Sequence, residues 1–314
     1  MTVKKPSSLL FVELLSDKTF GRRSESLSLG ILRAIWLLIP LLCGPSLQKS
    51  LHDFESLLRT TVSIGLWSFW VLIFLATLIT APISLAIVRI GIPATAGLSI
   101  WSSLEAGEST SGIIGLAASG LAALIALSAP LGDRFSDGAS YGDERRFLLR
   151  APGPVALIFG PLAWIATLAG LSLGPVLLLN KNFLLGTLLS LIGLPISVIA
   201  SNAIYQLGKR WIILVPAGIV LHDHLAVGDP TLITRNQLEN FSPAVIGTDA
   251  LDHSQGSFGL PLEIRCSTPL SMMLKKGTMR NVNESSIVEN FLITPVRPNV
   301  LLAEAEKRNL KKQN

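Results

Sequence analysis

Charge is almost absent from one long part of this chain, because Lys181 is the only charged side chain between Pro154 and Gly208. The apolar runs on either side of it, 154–179 and 183–207, are each long enough to cross a bilayer, which needs about 20 apolar residues of helix. Charged residues make up 15% of the whole chain, whereas soluble domains carry about 25%. The composition therefore disfavours a water-soluble protein and predicts a multi-pass membrane protein.

The chain is also poor in residues and motifs that carry chemistry. Its two cysteines, Cys43 and Cys266, lie in different regions and indicate neither a disulfide scaffold nor a zinc site. It lacks a P-loop, a GxGxxG turn after a strand, an HExxH helix and a nucleophile elbow. We therefore predict no catalytic residue and no cofactor. The basic residues lie mainly beside the apolar runs, so nucleic acid is not a predicted partner.

Six spans are predicted, at 31–47, 62–80, 83–101, 112–131, 154–179 and 183–207. The second and third could instead form one long helix that ends near Arg89, which would give five spans. A break at Thr80-Ala81-Pro82 is favoured, because proline is tolerated at the start of a helix and disfavours helical geometry in the residue before it.

Loop charges predict the orientation of these spans. The loop 133–150 carries four arginines, and Lys209 and Arg210 follow the last span, so both regions should face the cytosol. The basic N-terminus should also face the cytosol, and two cytosolic ends require an even number of spans. We therefore predict a plasma-membrane protein with a cytosolic N-terminal segment (1–29), a transmembrane bundle (30–208) and a cytosolic domain (209–314).

Small residues recur at helical spacing inside the predicted spans. Gly170 and Gly174 form a small-xxx-small pattern, which lets helix backbones approach closely. The pattern indicates packing within the bundle or, alternatively, a face for homo-oligomers. The predicted partners are thus the lipid bilayer, and either a second copy or another protein.

From Lys209 onwards the composition changes, because charge returns and the apolar runs become short. A β-hairpin is predicted from strands at 211–215 and 219–223 around Pro216-Ala217-Gly218. Further strands are predicted at 232–234, 244–246, 260–266, 272–274 and 291–293, before an amphipathic helix over 299–310. The predicted fold is an α-helical polytopic membrane bundle followed by a small β-rich cytosolic domain, a barrel or sandwich, with a C-terminal helix.

The run of short strands closed by one helix resembles the pleckstrin-homology-like domains attached to bacterial membrane proteins. The residues that carry the resemblance are Arg210-Trp211-Ile-Ile-Leu-Val-Pro-Ala-Gly-Ile-Val-Leu-His222, directly after the last span. With Tyr141-Gly142-Asp143-Glu144-Arg145-Arg146-Phe147 before the fifth span, the layout is similar to that of uncharacterised multi-pass proteins of high-GC Gram-positive bacteria. The resemblance covers the last third of the chain and implies a fold, not an activity.

Two short clusters contain candidate site residues. His222 and His224 would face the same side of a strand, so they are candidate metal ligands; the alternative is a solvated strand end. Arg145 and Arg146 belong to a dense charge cluster in the 133–150 loop and are candidate contacts for acidic lipid. The alternative there is a solvated loop that sets the topology.

Arg89 is a third candidate, because it falls inside the predicted third span. A charge at that depth costs a few kcal/mol unless it is paired or hydrated, so Arg89 is interpreted as an anion or lipid-headgroup contact. The alternative is that Arg89 lies at the membrane interface.

The sequence favours one function class over two others. A membrane scaffold or sensor, whose β-domain binds a protein or lipid partner, fits the absence of catalytic motifs. A transporter or permease component fits six spans with proline-broken helices and would use Arg89. A membrane-embedded enzyme is the least supported, because the loop 133–150 contains no histidine.

Overall fold

The computed structural model describes residues 20–106, 110–276 and 282–310. Within these ranges, six helices are long and apolar enough to cross a membrane, which confirms the multi-pass bundle. The helices of this part of the chain are α1 (Phe20–Ser50), α2 (Ser56–Leu78), α3 (Pro82–Ala106), α4 (Thr110–Leu127), the short α5 (Ala129–Asp137), α6 (Gly160–Leu179, after a π-helical turn at Val155–Phe159) and α7 (Phe183–Leu207).

The second and third spans are separate helices. The second, α2, ends at Leu78, and α3 begins at Pro82. The break lies at the predicted Thr80-Ala81-Pro82, so six spans are confirmed and the single long helix is wrong. The first helix starts at Phe20, well before the predicted 31, because its first turns are polar and hydropathy does not detect them.

The chain divides into two compact units. The helical unit consists of 27–135 and 157–208. The β-unit combines three separated segments, which are Met1–Ser26, Ser136–Ala156 and Lys209–Asn314. It thus includes more of the chain than the single stretch 209–314 that the sequence suggested. Residues 1–19 of the predicted N-terminal segment lie outside the described residues.

The β-unit contains two four-stranded sheets. The first has the order β1-β2-β3-β4 and the second has the order β5-β7-β8-β6. All neighbouring strands are antiparallel except β6 and β8. The strands are β1 (Arg145–Leu148), β2 (Trp211–Val215), β3 (Gly218–His222), β4 (Thr231–Thr234), β5 (Leu238–Pro243), β6 (Leu251–Asp252), β7 (Leu262–Lys276) and β8 (Val282–Ile293), and α8 (Pro298–Lys307) follows them.

The two sheets share one hydrophobic core. Ile212 and Leu214 of the first sheet and Phe241 and Ile264 of the second are fully buried in it, and Leu301 of α8 packs against them. No barrel closes between the sheets over the described strands, so the domain is a sandwich with a terminal helix. This arrangement confirms the predicted fold class.

Strand predictions succeeded where the local pattern was complete. The hairpin of β2 and β3 is confirmed, with Trp211 opposite His222. The predicted strand at 244–246 is wrong, because the strand there, β5, ends at Pro243 and the β-branched residues after it are exposed. The predicted strands 260–266 and 272–274 are parts of the single strand β7, whose pairing shifts at an irregularity between Arg265 and Leu270.

Three of the described strands, β1, β5 and β6, match no predicted strand, and β1 also lies outside the predicted β-rich stretch 209–314. The first strand, β1, lies in the loop before the fifth span and pairs with β2, for example Phe147 with Ile212. The sequence indicated a charged, solvated loop there, because a four-residue strand flanked by charges has no pattern of its own. Its partner is distant in the sequence, so only the folded chain identifies β1.

Close approach of two helices explains the glycines of the fifth span. A side chain at Gly170 would meet the carbonyl oxygen of Gly193, and one at Gly174 would meet Ser190. The Ser197 hydroxyl also donates to the Thr167 carbonyl at 3.0 Å. The Gly170–Gly174 face is therefore used for packing between α6 and α7 within one chain.

Candidate functional site

The β-unit is joined by a buried group of charges, here called the ion cluster (Glu25, Asp137, Arg145 and Arg297). The Glu25 carboxylate accepts hydrogen bonds from Arg145 at 2.5 Å and from Arg297 at 2.9 Å. Arg145 also pairs with Asp137. Glu25 and Arg145 are 1% and 2% exposed, so each charge depends on its partners, because an unpaired buried charge is very costly.

The ion cluster connects three distant parts of the chain. Glu25 lies in the first turns of α1, Arg145 lies in β1 before the fifth span, and Arg297 is the residue before α8. Sequence reasoning identified Arg145 as a lipid contact but missed Glu25 and Arg297, because no local spacing links them. The Arg145 guanidinium is paired with carboxylates of its own chain.

A second buried ion pair fixes the start of the C-terminal part of the β-unit. Arg210 binds both Asp223 carboxylate oxygens at 2.7 Å and also donates to the Arg150 carbonyl at 2.8 Å. The two side chains are 1% and 2% exposed. Such a bidentate, charge-assisted pair has strict geometry, so it holds Arg210, the residue before β2, against Asp223, the residue after β3.

Arg146, Trp211 and His222 form a stack on the first sheet. The Arg146 guanidinium carbon lies 5.2 Å from the Trp211 ring centre, and the Trp211 and His222 rings are 5.1 Å apart and nearly parallel. Arg146 also pairs with Glu144 at 3.3 Å. Burial, together with the nearby Lys209 and Arg146, holds the pKa of His222 below its ordinary value. The Arg146 side chain is only 14% exposed.

His222 and His224 lie close in sequence but have different surroundings. His222 stacks on Trp211, whereas the His224 carbonyl accepts a hydrogen bond from Lys275 at 2.8 Å. The intervening Asp223 carboxylate is bound by Arg210. Among residues 20–106, 110–276 and 282–310, no group of three or more metal-ligating side chains occurs. Two imidazoles alone do not complete a structural zinc site, and metal binding by this pair stays a prediction.

Sequence reasoning did not predict the burial of His253. Its ring is 6% exposed and contacts the Phe291 ring edge-on at 5.2 Å. Burial lowers the pKa of His253, so the ring is neutral at pH 7. No hydrogen-bond partner is found for its buried Nε2 within the described ranges. A lone histidine in a loop gives no sequence signal for such burial.

In the helical unit, Arg33, Arg59 and Arg89 lie inside the candidate spans, and Arg59 is near the start of its helix. Arg33 of α1 donates to the Thr77 carbonyl at 2.5 Å and so satisfies a carbonyl at the end of α2. Arg89 is half-buried in α3, and Asp133 of α5 is near enough to interact with it electrostatically. Its buried Nε has no hydrogen-bond partner in the part of the chain that the structure describes. Arg89 is thus within a helix and near one carboxylate.

A cavity of about 560 Å³ lies in the helical unit between α1, α2 and α3. Aromatic and aliphatic side chains make most of its wall, and Arg59 is the only charged residue among the described residues that line it. Sequence reasoning did not predict this cavity, because its lining comes from three spans. The aromatic part of the wall consists of Trp36, Trp67, Phe69 and Trp70.

The β-unit also exposes a group of apolar side chains, here called the apolar rim (Val245, Ile246, Phe258 and Leu260). The two loops that carry it are joined, because the Ala244 amide donates to the Pro261 carbonyl at 3.0 Å. The second loop is fixed to the chain before the fifth span, since the Ser257 hydroxyl donates to the Ala151 carbonyl at 3.0 Å.

Known proteins provide no further information on the function. No family model, no curated protein and no solved structure matches this chain. The function is therefore inferred from the ion cluster, the arginine stack, the cavity and the apolar rim.

Proposed function

We propose that this protein is a membrane sensor or scaffold in which the helical bundle carries a cytosolic β-domain that binds a lipid or protein partner. The observation that supports this most is the ion cluster. Its charges come from segments connected directly to different spans, α1 through Glu25 and the fifth span through Arg145. The sheet adds a third connection, because β2 follows α7 and pairs with β1. A movement of one of these spans relative to another would therefore strain the β-domain.

The proposed location is the plasma membrane, with both ends in the cytosol. The four arginines of 133–150 and the Lys209-Arg210 pair favour this orientation. We also infer a pleckstrin-homology-like relationship for the β-unit, which its two sheets and terminal helix support. We infer as well that the whole chain is similar to multi-pass membrane proteins of high-GC Gram-positive bacteria.

The partner that the geometry favours is the headgroup layer of the membrane. Phe258 lies beside Gly153, only two residues before the fifth span begins at Val155. Exposed apolar side chains that lie near the end of a span can bury their surface in the membrane–water interface. Arginines nearby attract anionic lipid headgroups. Arg146 and the exposed Arg150 are close in sequence to this point. Docking of a protein on the rim is the alternative.

The test uses full-length protein in lipid nanodiscs with an environment-sensitive dye on Phe258→Cys. Both native cysteines are buried, so the dye reports the new position. We expect blue-shifted emission that increases with the fraction of anionic lipid. The matched control is Asn236→Cys, an exposed position in the β4–β5 turn. A dye at this position should keep the emission that is typical of an aqueous environment. Equal, water-like emission at both positions would reject lipid contact by the rim.

A transporter or permease component is the second candidate, and Arg89 favours it. An arginine within a span, with a buried Nε and one carboxylate near enough to interact with it, is typical of sites that bind or pass charged groups. Replacement of Arg89 by Leu should then abolish transport while the folded yield persists. If both transport and yield are unchanged, this candidate has no residue to support it.

A further inference from the structure

We propose that the cavity between α1, α2 and α3 binds a single-chain amphiphile with an anionic headgroup, such as a long-chain carboxylate. The headgroup would lie at Arg59 and the alkyl chain against the tryptophans. This site belongs to the helical unit alone, so the inference does not depend on what the β-domain binds.

The size and lining of the cavity fit such a ligand. Its volume of about 560 Å³ lies within the range of roughly 300–1,000 Å³ that is usual for small-molecule sites. Sites of that kind combine an apolar wall with a few polar groups that orient the ligand. Here the polar groups Arg59, Thr60 and Ser63 are consecutive or nearly so on α2, whereas Trp67 and Trp70 lie one to two turns further into the span.

Two of the three tryptophans in the wall, Trp36 and Trp70, use their indole N–H groups within the bundle. The Trp36 indole donates to the Trp70 carbonyl at 3.0 Å, and the Trp70 indole donates to the Trp36 carbonyl at 2.8 Å. Trp67 packs edge-on against Trp70 with ring centres 5.7 Å apart. Both reciprocal N–H groups are therefore used within the bundle, and the wall is held in place before any ligand binds, which limits the entropic cost of binding.

The deeper polar groups are satisfied in the same way. The Cys43 thiol lies 3.5 Å from the Ser99 hydroxyl and 3.5 Å from the Gly115 carbonyl. These groups therefore pair with each other across α1, α3 and α4. A ligand with a second polar group at its far end would gain little here, so the cavity suits an alkyl chain.

Charge at the polar end of the cavity favours an anion. The residue four positions before Arg59, and hence one helical turn away, is Glu55, a natural ion-pair partner for it. Instead, the Glu55 carboxylate accepts from Lys181 at 2.9 Å. Within the described residues no ion pair of Arg59 is found. The Arg59 guanidinium, which is exposed and donates in a fork, is thus open to a carboxylate headgroup.

The test is quenching of tryptophan fluorescence by dibromostearate. The full-length protein is held in nanodiscs of zwitterionic lipid, which has no net charge. Bromine quenches nearby indoles, and three of the cavity residues are tryptophans. We expect saturable quenching. Arg59→Gln should weaken binding about ten- to hundredfold, because a hydrogen bond to a charged group is lost. Arg59→Lys should recover part of the affinity.

Two variants separate the site from general effects. Lys49→Gln removes an exposed cation that does not line this cavity, so it should bind as the wild type does. Gly44→Phe should abolish saturable quenching, because Gly44 lines the cavity and a side chain there meets open space. Quenching that is unchanged in Gly44→Phe would show ordinary lipid contact and overturn the proposal.

Two further probes test the ligand class. The methyl ester of dibromostearate keeps the chain but lacks the negative charge, and it should bind about tenfold or more weakly. Equal binding of the ester would overturn the anionic headgroup. Brominated phosphatidylglycerol carries two chains, and it should give no saturable component. Saturable quenching by that lipid would overturn the single-chain ligand.

Discussion

At the residue scale, the β-unit depends on buried charges that are paired between distant segments. Sequence reasoning identified Arg145 and Arg146 as notable, because four charges in a row stand out. It could not identify their roles, since the partners of Arg145 include Glu25, far away in the sequence. His222 was noted for a neighbouring histidine, and its observed contact is the stack on Trp211. Pairing of this kind is decided by tertiary structure.

Removal of one member of the ion cluster should destabilise the β-unit. Glu25→Gln leaves Arg145 and Arg297 with less compensation, and breaking a buried pair costs about 3–5 kcal/mol. This loss is measured by thermal unfolding of the full-length protein in detergent, with proteolysis of the β-unit as the readout of unfolding. The matched control is Glu289→Gln on the exposed side of β8, which should change stability by less than about 0.5 kcal/mol. An equal effect of both variants would contradict the role of the cluster.

Acid should also weaken the β-unit. Burial is the main cause that lowers the pKa of His222, His224 and His253 in the folded state. The unfolded chain therefore takes up protons first, near its ordinary pKa of about 6.5. The stabilisation is complete above that pH and is lost as the pH falls towards the folded values. The unfolding midpoint should be lower at pH 5.5 than at pH 7.5, and His253→Phe should reduce this difference.

At the element scale, hydropathy and proline predicted the helices well. Six apolar stretches became six helices, and Pro82 marked the break between α2 and α3. The strands were harder, because β1 has four residues and no alternation, and because Val245 and Ile246 are β-branched but lie exposed outside any strand. Elements with a strong local pattern were therefore predictable, and those defined by a distant partner were not.

Helix packing provides a prediction at this scale. Gly170→Val places a side chain against the backbone of Gly193, which has no room to move away. Overpacking of this kind costs about 1–3 kcal/mol, so the variant should show a lower folded yield and unfold at lower temperature. Gly120→Val is the matched control, because a side chain at Gly120 of α4 meets open space. If both valine variants behave like the wild type, the close packing of α6 against α7 is wrong.

At the scale of the whole molecule, the three chain segments that form the β-unit constrain the membrane topology. The described part of the N-terminal segment, the loop before the fifth span and the C-terminal region all belong to this unit. One unit can form from three segments only when an even number of spans separates them, which agrees with the six candidate spanning helices. The sequence predicted the same arrangement from loop arginines, but it could not predict that the three regions form one domain.

The most direct test of this account is cysteine accessibility in intact cells, with single cysteines introduced at Arg23, Asp143, Asn236 and Asp53. The first three positions are exposed in the β-unit, and Asp53 is exposed in the turn between α1 and α2. A membrane-impermeant maleimide should label Asp53→Cys in intact cells and the other three only after permeabilisation. Labelling of one or two of those three from outside would contradict a single β-domain built from three segments.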